Sequence, residues 1–246
     1  MAARKISRRQ ALATAGSVSL GGLLAACSDD PPKKGGQGPD VAPKAKPSSP
    51  ETAELFDGSA RCEVATELTE GPYYFDVDSI RRDIREDREG TLLRLAVRVR
   101  DAGSCEPIRN AVVDVWHCDA GGLYSGFESA SPGGGRSDDE TYLRGAQATN
   151  RQGIVEFTTI YPGRYPGRAV HIHVKVHLDR QTLLTTQLFT NREFDERVFA
   201  SKPYSEGAGG DTFNDDDPIY DESLEMTLSK EGDGVLGVMT FDVRRA

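Results

Sequence analysis

His171 and His173 stand two residues apart in the run Tyr165-Pro166-Gly167-Arg168-Ala169-Val170-His171-Ile172-His173. Val170, Ile172, Val174, Val176 and Leu178 alternate with them, which is the period of a strand. Both imidazoles therefore project from one face and the aliphatic side chains from the other. Two neutral nitrogen donors on one rigid face are half of a metal site. Tyr165 and Arg168 lie just upstream, where a turn can bring a phenol and a cation to the same pocket. The chain has four histidines, and His171, His173 and His177 share this strand, with His117 elsewhere. A solvent-facing strand can also carry two histidines beside a lysine such as Lys175, so this spacing alone does not decide the matter.

Tyr124 and Gln187 join the residues that could face one pocket with Tyr165, Arg168, His171 and His173. Two phenols beside two imidazoles form an unusual ligand set. A phenol ionises near pH ~10 and becomes phenolate at neutral pH only if something strongly stabilises the anion. A hard trivalent cation does so. Phenolate suits ferric iron and is a poor match for zinc, copper(I) or calcium. The candidate cofactor is therefore Fe(3+), and a ferric centre of this kind would take a catecholate dianion.

The elements that must position these groups are mostly strands. Leu93, Leu95, Val97 and Val99 alternate with Arg94, Arg98 and Arg100, a half-buried strand. Residues 111–116, 154–160, 170–178, 183–189 and 239–243 read as further strands. Helical periodicity is confined to 192–199, with a turn or two over 79–86. Short strands, Gly-rich connections and no βαβ alternation predict an all-β fold, an antiparallel β-sandwich whose long loops form the metal site. The long connections 120–141 and 160–168 are rich in Gly and Pro, and loops of that length on a rigid sandwich commonly carry function.

The first residues read differently. Arg4, Lys5, Arg8 and Arg9 precede a mild apolar run ending in Leu24-Ala25-Ala26-Cys27, so residues 1–26 are expected to be an export signal. Ser7 to Leu12 resembles a twin-arginine signal, and Leu24 to Cys27 resembles a bacterial lipobox, which would make Cys27 the lipidated new N-terminus. An ordinary cleaved signal with an incidental cysteine is the alternative. The apolar run is too short and Gly-rich to span a bilayer, so any membrane attachment would run through a lipid on Cys27. The protein is expected outside the cytoplasm, lipid-anchored or secreted. Residues 27–60, rich in Pro, Lys, Gly and Ser, read as a flexible tether, and residues 61–246 as one domain with a substantial core. The net charge is −9, and losing the cations of the signal makes the exported form more acidic still. No basic cluster remains to hold nucleic acid. Cysteines outside the cytoplasm tend to pair. Cys62 and Cys105 flank strand-like segments at loop positions and are the favoured pair, with Cys118 left as a buried thiol.

Several segments, in order, resemble the intradiol ring-cleavage dioxygenases. They are Thr69-Glu70-Gly71-Pro72-Tyr73-Tyr74, residues 111–117, Gly122-Leu123-Tyr124-Ser125, Leu143-Arg144-Gly145, residues 159–166, Arg168 to His173, and Thr186-Gln187-Leu188. The resemblance implies four ferric ligands at Tyr124, Tyr165, His171 and His173. It makes Tyr165 the ligand that leaves when substrate binds, taking a catechol proton. It implies a charge-stabilising role for Arg168, an orienting role for Gln187 and a pocket lined by Gly71 and Pro72. The implied reaction uses O2 to cleave a small aromatic diol between its hydroxyls, giving a cis,cis-muconate.

Two departures from the family bear on substrate and assembly. Where protocatechuate-cleaving members carry a bulky tryptophan after the Tyr-Pro pair, this chain has Gly167. The helical dimerisation segment of the catechol-cleaving branch has no counterpart in the tether, so the resemblance assigns no oligomeric state. The signal and tether instead resemble a secreted branch of the family. Two readings from other classes remain: a non-catalytic sandwich lipoprotein binding a cell-wall or carbohydrate ligand, and a zinc hydrolase using His171 and His173, which would still need a third ligand.

Overall fold

The computed structural model describes residues 50–56, 62–128, 138–206 and 212–245. The export signal, Cys27 and residues 27–49 and 57–61 lie outside the described residues. In chain order the regular elements are α1 (Pro50–Glu54), β1 (Leu92–Asp101), β2 (Val112–Trp116), β3 (Arg144–Ala148), β4 (Ile154–Ile160), β5 (His171–Leu178), β6 (Gln181–Phe189), α2 (Arg192–Phe199), β7 (Thr227–Glu231) and β8 (Gly234–Val243). The strands form two four-stranded sheets, ordered β4-β1-β8-β7 and β3-β2-β5-β6.

Period-two alternation explains why the sheets stack. β1 turns Leu93, Leu95 and Val97 inward, β4 turns Val155 and Phe157, β2 turns Val113 and Val115, and β5 turns Ile172, Val174 and Val176. These side chains meet in one buried core, each contributing about 1.5–3 kcal/mol through removal from water. The sandwich expected from the sequence is therefore present. Its ladders are antiparallel except one, because β1 and β8 run parallel. Nearly the whole domain separates those two strands, so no hairpin dictates their direction.

Residues 79–86 do not form a helical turn. They run extended as a strap, bridging Ile80 to Ala146 on β3 and Asp83 to Thr158 on β4. Arg81 N–H donates to Ala146 O at 3.0 Å and Ile84 N–H to Thr158 O at 3.0 Å. The strap thus fills backbone positions that the edge strand of each sheet leaves open.

Of the stretch read as a tether, the structure describes residues 50–56, and there the chain is docked. α1 and the residues after it dock on the outer face of the first sheet, where Phe56 packs with Ala96 and Ile154, and Ala53 and Leu55 join them. Thr52 is buried and hydrogen-bonds Glu156. One aromatic and two apolar residues in seven suffice to hold this segment down, although the composition of 27–60 as a whole is polar. Cys62 and Cys105 form a disulfide, and Cys118 is a free, buried thiol whose burial pushes it up to about 12. Among the described residues no helix is long and apolar enough to cross a membrane.

Candidate metal centre

The outer face of the second sheet carries His171 and His173 from β5, Trp116 from the paired position on β2, and Gln187 opposite His173 on β6. Loop segments cover this face. Residues 124–127 bring in Tyr124 and Phe127, residues 161–169 bring in Tyr165, and the stretch around Tyr73 lies across both, forming a buried aromatic cluster separate from the main core.

Ring contacts and one arginine hold the cover in place. Tyr73 stacks on Tyr124 with centroids 4.5 Å apart and meets Tyr165 edge-on at 6.2 Å. Arg144 is fully buried; its Nε donates to Ser125 Oγ at 2.7 Å, Nη1 to Tyr73 O at 2.7 Å and Nη2 to Ser125 O at 2.9 Å. A single fixed fork therefore clamps two loops that have no strand partner of their own. Gly71 adopts φ +74°, and a Cβ there would sit 3.1 Å from His173 Cε1, so only glycine lets the chain pass so close to the ring. Pro72, read with Gly71 as pocket lining, is exposed, and Tyr73 is the residue of that segment that packs on the site.

The four ligand candidates converge on one point. His171 Nδ1–H donates to Ala169 O at 2.7 Å, which fixes the tautomer and leaves the Nε2 lone pair facing inward. Three groups crowd that lone pair: Tyr165 Oη at 3.0 Å, His173 Nε2 at 3.2 Å and Tyr124 Oη at 3.4 Å. One nitrogen lone pair accepts one hydrogen well, so the cluster is over-subscribed as a hydrogen-bond network. Donor atoms about 2.1 Å from a shared cation and 90–110° apart lie roughly 3.0–3.4 Å from one another. The observed spacings fall in that range, and the donor set fits a single metal ion. His173 is oriented by packing, its ring stacked on Trp116 at 4.9 Å and 7°, while its Nδ1 has no hydrogen-bond partner among the described residues.

Burial sets the charge state. Desolvation pushes both phenols well above their ordinary value of 10. It pulls His171 down to about 3, with Arg168 adding to the fall, and His173 well below 6.5. Without a cation all four groups are neutral at pH 7. The imidazoles are ready to ligate, and the phenols ionise only against a strong positive charge. Among the described residues no three His, Cys, Asp or Glu side chains gather around one point.

Arg168 and Gln187 flank the cluster. Arg168 Nη2 donates to Gln187 Oε1, and Gln187 Nε2 donates to Thr69 O at 2.9 Å. Arg168 Nε donates to Asp217 Oδ2 at 2.9 Å. Sequence reasoning did not single out Tyr73, Trp116, Arg144 or Asp217. The first three stand inside motif segments already singled out, so a question about what covers an outer strand face could have found them. His117, by contrast, is a structural residue. Its Nδ1–H donates to Cys118 O at 2.8 Å and its Nε2 accepts from Thr159 Oγ1 at 2.7 Å, joining the two sheets.

The profile of a family described as Dioxygenase matches residues 69–204. A chlorocatechol 1,2-dioxygenase of Rhodococcus opacus is 34% identical over 125 residues, covering 43% of this chain and 46% of that protein. A catechol 1,2-dioxygenase 1 of Acinetobacter lwoffii is 31% identical over 151 residues, 50% of this chain and 47% of that protein. The chain thus spans about half the length of these curated relatives. Among solved structures, an intradiol ring-cleavage dioxygenase from Tetranychus urticae superposes with a TM-score of 0.71 at 30% identity, covering 74% of this chain and 95% of that one.

Proposed function

The chain belongs to the intradiol dioxygenase family, and from that premise we propose that it is a non-haem ferric enzyme cleaving catechol-type diols between their hydroxyls with O2. The observation that carries this reading is the convergence of Tyr124, Tyr165 and His173 on the inward lone pair of His171. These four residues would hold Fe(3+). The ion would supply a binding site for the two catechol oxygens and make the ring reactive toward O2.

The remaining work belongs to the side chains. Tyr124 is wholly buried beneath Tyr73, whereas Tyr165 sits on the turn 165–168, where Gly167 takes φ +82° and has nothing within 4 Å of a would-be Cβ. Of the two phenols, Tyr165 is free to swing and accept a proton on Oη from an incoming catechol hydroxyl, while Tyr124 stays. Arg168 keeps Nη1 without a hydrogen-bond partner among the described residues, so this amino group can donate to charge growing on the substrate. The aromatic cover of Tyr73, Phe127 and Trp116 excludes bulk water. Gly167, with nothing within 4 Å of a would-be Cβ, leaves no bulky side chain over the turn, which supports catechol rather than a carboxylate-bearing diol. The product is a cis,cis-muconate-type diacid, and the enzyme works outside the cytoplasm, anchored through Cys27 or secreted.

Purified protein should carry about one iron per chain, show red to brown tyrosinate absorption, and take up one O2 per catechol without a reductant. A panel of catechol, chlorinated catechol, protocatechuate and hydroxyquinol orders the substrates. A colourless, folded, zinc-containing protein, or a yellow semialdehyde product, overturns the proposal.

A further inference from the structure

Asp217 lies outside the matched family segment, 49 residues beyond Arg168, and its carboxylate is completely buried. It follows a short 3-10 turn, Asn214–Asp216, and its own N–H closes that turn onto Asn214 O at 3.1 Å. Three donors meet the carboxylate. Oδ2 accepts from Arg168 Nε at 2.9 Å and from Ala169 N–H at 2.9 Å, and Oδ1 accepts from Ile219 N–H at 2.9 Å. The acid is therefore satisfied on both oxygens and held by its own loop before it grips anything else.

What it grips are Arg168 and Ala169, just ahead of β5. The Arg168 guanidinium is pinned on two sides, Nε by Asp217 and Nη2 by Gln187, and Nη1 is the corner left to point elsewhere. Ala169 is held through its N–H by Asp217, and its carbonyl takes the Nδ1–H of His171. One carboxylate thus fixes both the direction of the free arginine corner and the backbone that orients a ligand histidine. Its charge also offsets that of a guanidinium whose field lowers both histidines and opposes the rise of both phenols.

We propose that Asp217 is a positioning residue for ring cleavage: it acts through Arg168, aiming Nη1 at the substrate, and takes no part as a ligand or proton carrier. This inference rests on the dioxygenase reading. Positioning errors of about 1 Å can cost ~10²-fold in rate, while an interaction absent from the ground state leaves KM little changed.

The test compares wild type, Asp217→Asn, Arg168→Ala and the double variant as full chains. Iron content, tyrosinate absorption and melting temperature are measured beside kcat and KM for catechol. Asp217→Asn, which keeps one acceptor oxygen for Ala169 N–H, should retain iron and colour. It should lose ~10- to 100-fold in kcat per iron with KM changed far less. The double variant should be no slower than Arg168→Ala, because the two residues act as a unit. Additive losses, or a fall in activity that merely tracks lost iron or lost fold, overturn the proposal. Should Asp217→Asn fold poorly, Asp217→Glu keeps the charge but displaces it by one methylene. Full kcat per iron in that variant would equally overturn a role in aiming. A wild type without iron or catechol cleavage would instead sink the underlying reading, which this design registers separately.

Discussion

β1 turns Leu93, Leu95 and Val97 into the core and sets Arg94, Arg98 and Arg100 outward; β5 turns Ile172, Val174 and Val176 inward and sets His171, His173 and Lys175 outward. The same alternation leads to two different chemical outcomes. On the first sheet each outward arginine meets a partner: Arg94 pairs with Glu231, Arg98 lies over the Phe56 ring, and Arg100 grips Asp242 through Nε at 2.7 Å and Nη2 at 2.9 Å. On the second sheet the outward groups at the site share a single lone pair. A face whose polar groups satisfy one another contributes to the fold. A face that sets several buried groups against one lone pair is arranged for something absent from the chain itself.

The comparison breaks if the site-bearing face turns out to stabilise the fold as the other does. Tyr124→Phe removes one hydroxyl and keeps the ring stacked under Tyr73. Iron and colour should be lost and activity should fall by more than the ~10–100-fold typical of losing a group outside the ligand set. The iron-free protein should melt within about 1 kcal/mol of wild type, because the hydroxyl has no uncontested partner. A loss of several kcal/mol in the iron-free protein would show that this face is internally satisfied after all.

Asp242→Ala probes the opposite face and should do the reverse. It takes from the buried guanidinium of Arg100 the carboxylate gripped through Nε and Nη2, and breaking a buried pair costs roughly 3–5 kcal/mol. Chemical denaturation should show that loss, while iron per folded chain and kcat per iron stay at wild-type values. A drop in normalised kcat would mean that the two faces are coupled through the core.

How much of this could be read from the sequence follows from the same contrast. The strong alternators β1, β4, β5 and β6 were legible, because a buried strand face writes itself in Val, Ile, Leu and Phe. β3 was not: Arg144-Gly145-Ala146-Gln147-Ala148 has no β-branched or aromatic residue and becomes a strand through its pairing with β2 and the strap. β7 was missed because it is an exposed edge whose one apolar residue, Leu228, is too little to show an alternation. The strap 79–86 and the docking of 50–56 depend on edges and faces that exist only once the sheets have formed. At the site, His171 and His173 announce themselves by spacing on one strand. Tyr124 and Tyr165 come from separate loops and were placed there by ligand chemistry and family resemblance together. Asp217 had no such signal. Aspartate after two aspartates in a polar stretch reads as a solvated turn, and only the path of the chain brings it under Arg168.

A smaller effect sharpens the comparison at a single residue type. Asp242 and Asp114 are both buried outward-facing aspartates, one on each sheet. Asp242 has the Arg100 fork, whereas Asp114 takes a hydrogen bond from Tyr74 Oη at 3.1 Å and has no cation in salt-bridge contact among the described residues. Desolvation accordingly raises Asp114 to about 6, with the Tyr74 hydrogen bond opposing the rise. The folded chain then holds this proton up to about pH 6, while the unfolded chain releases it near the ordinary value of 3.8. Between those values the native state binds more protons, so the stability this group contributes is present below about pH 4 and is lost as pH rises through 6. Asp114→Asn keeps an acceptor for Tyr74 and removes the charge. It should melt with wild type at pH 4 and exceed it by about 1–3 kcal/mol at pH 8. A difference in stability that is the same at both pH values would mean that Asp114 is compensated as well as Asp242 is.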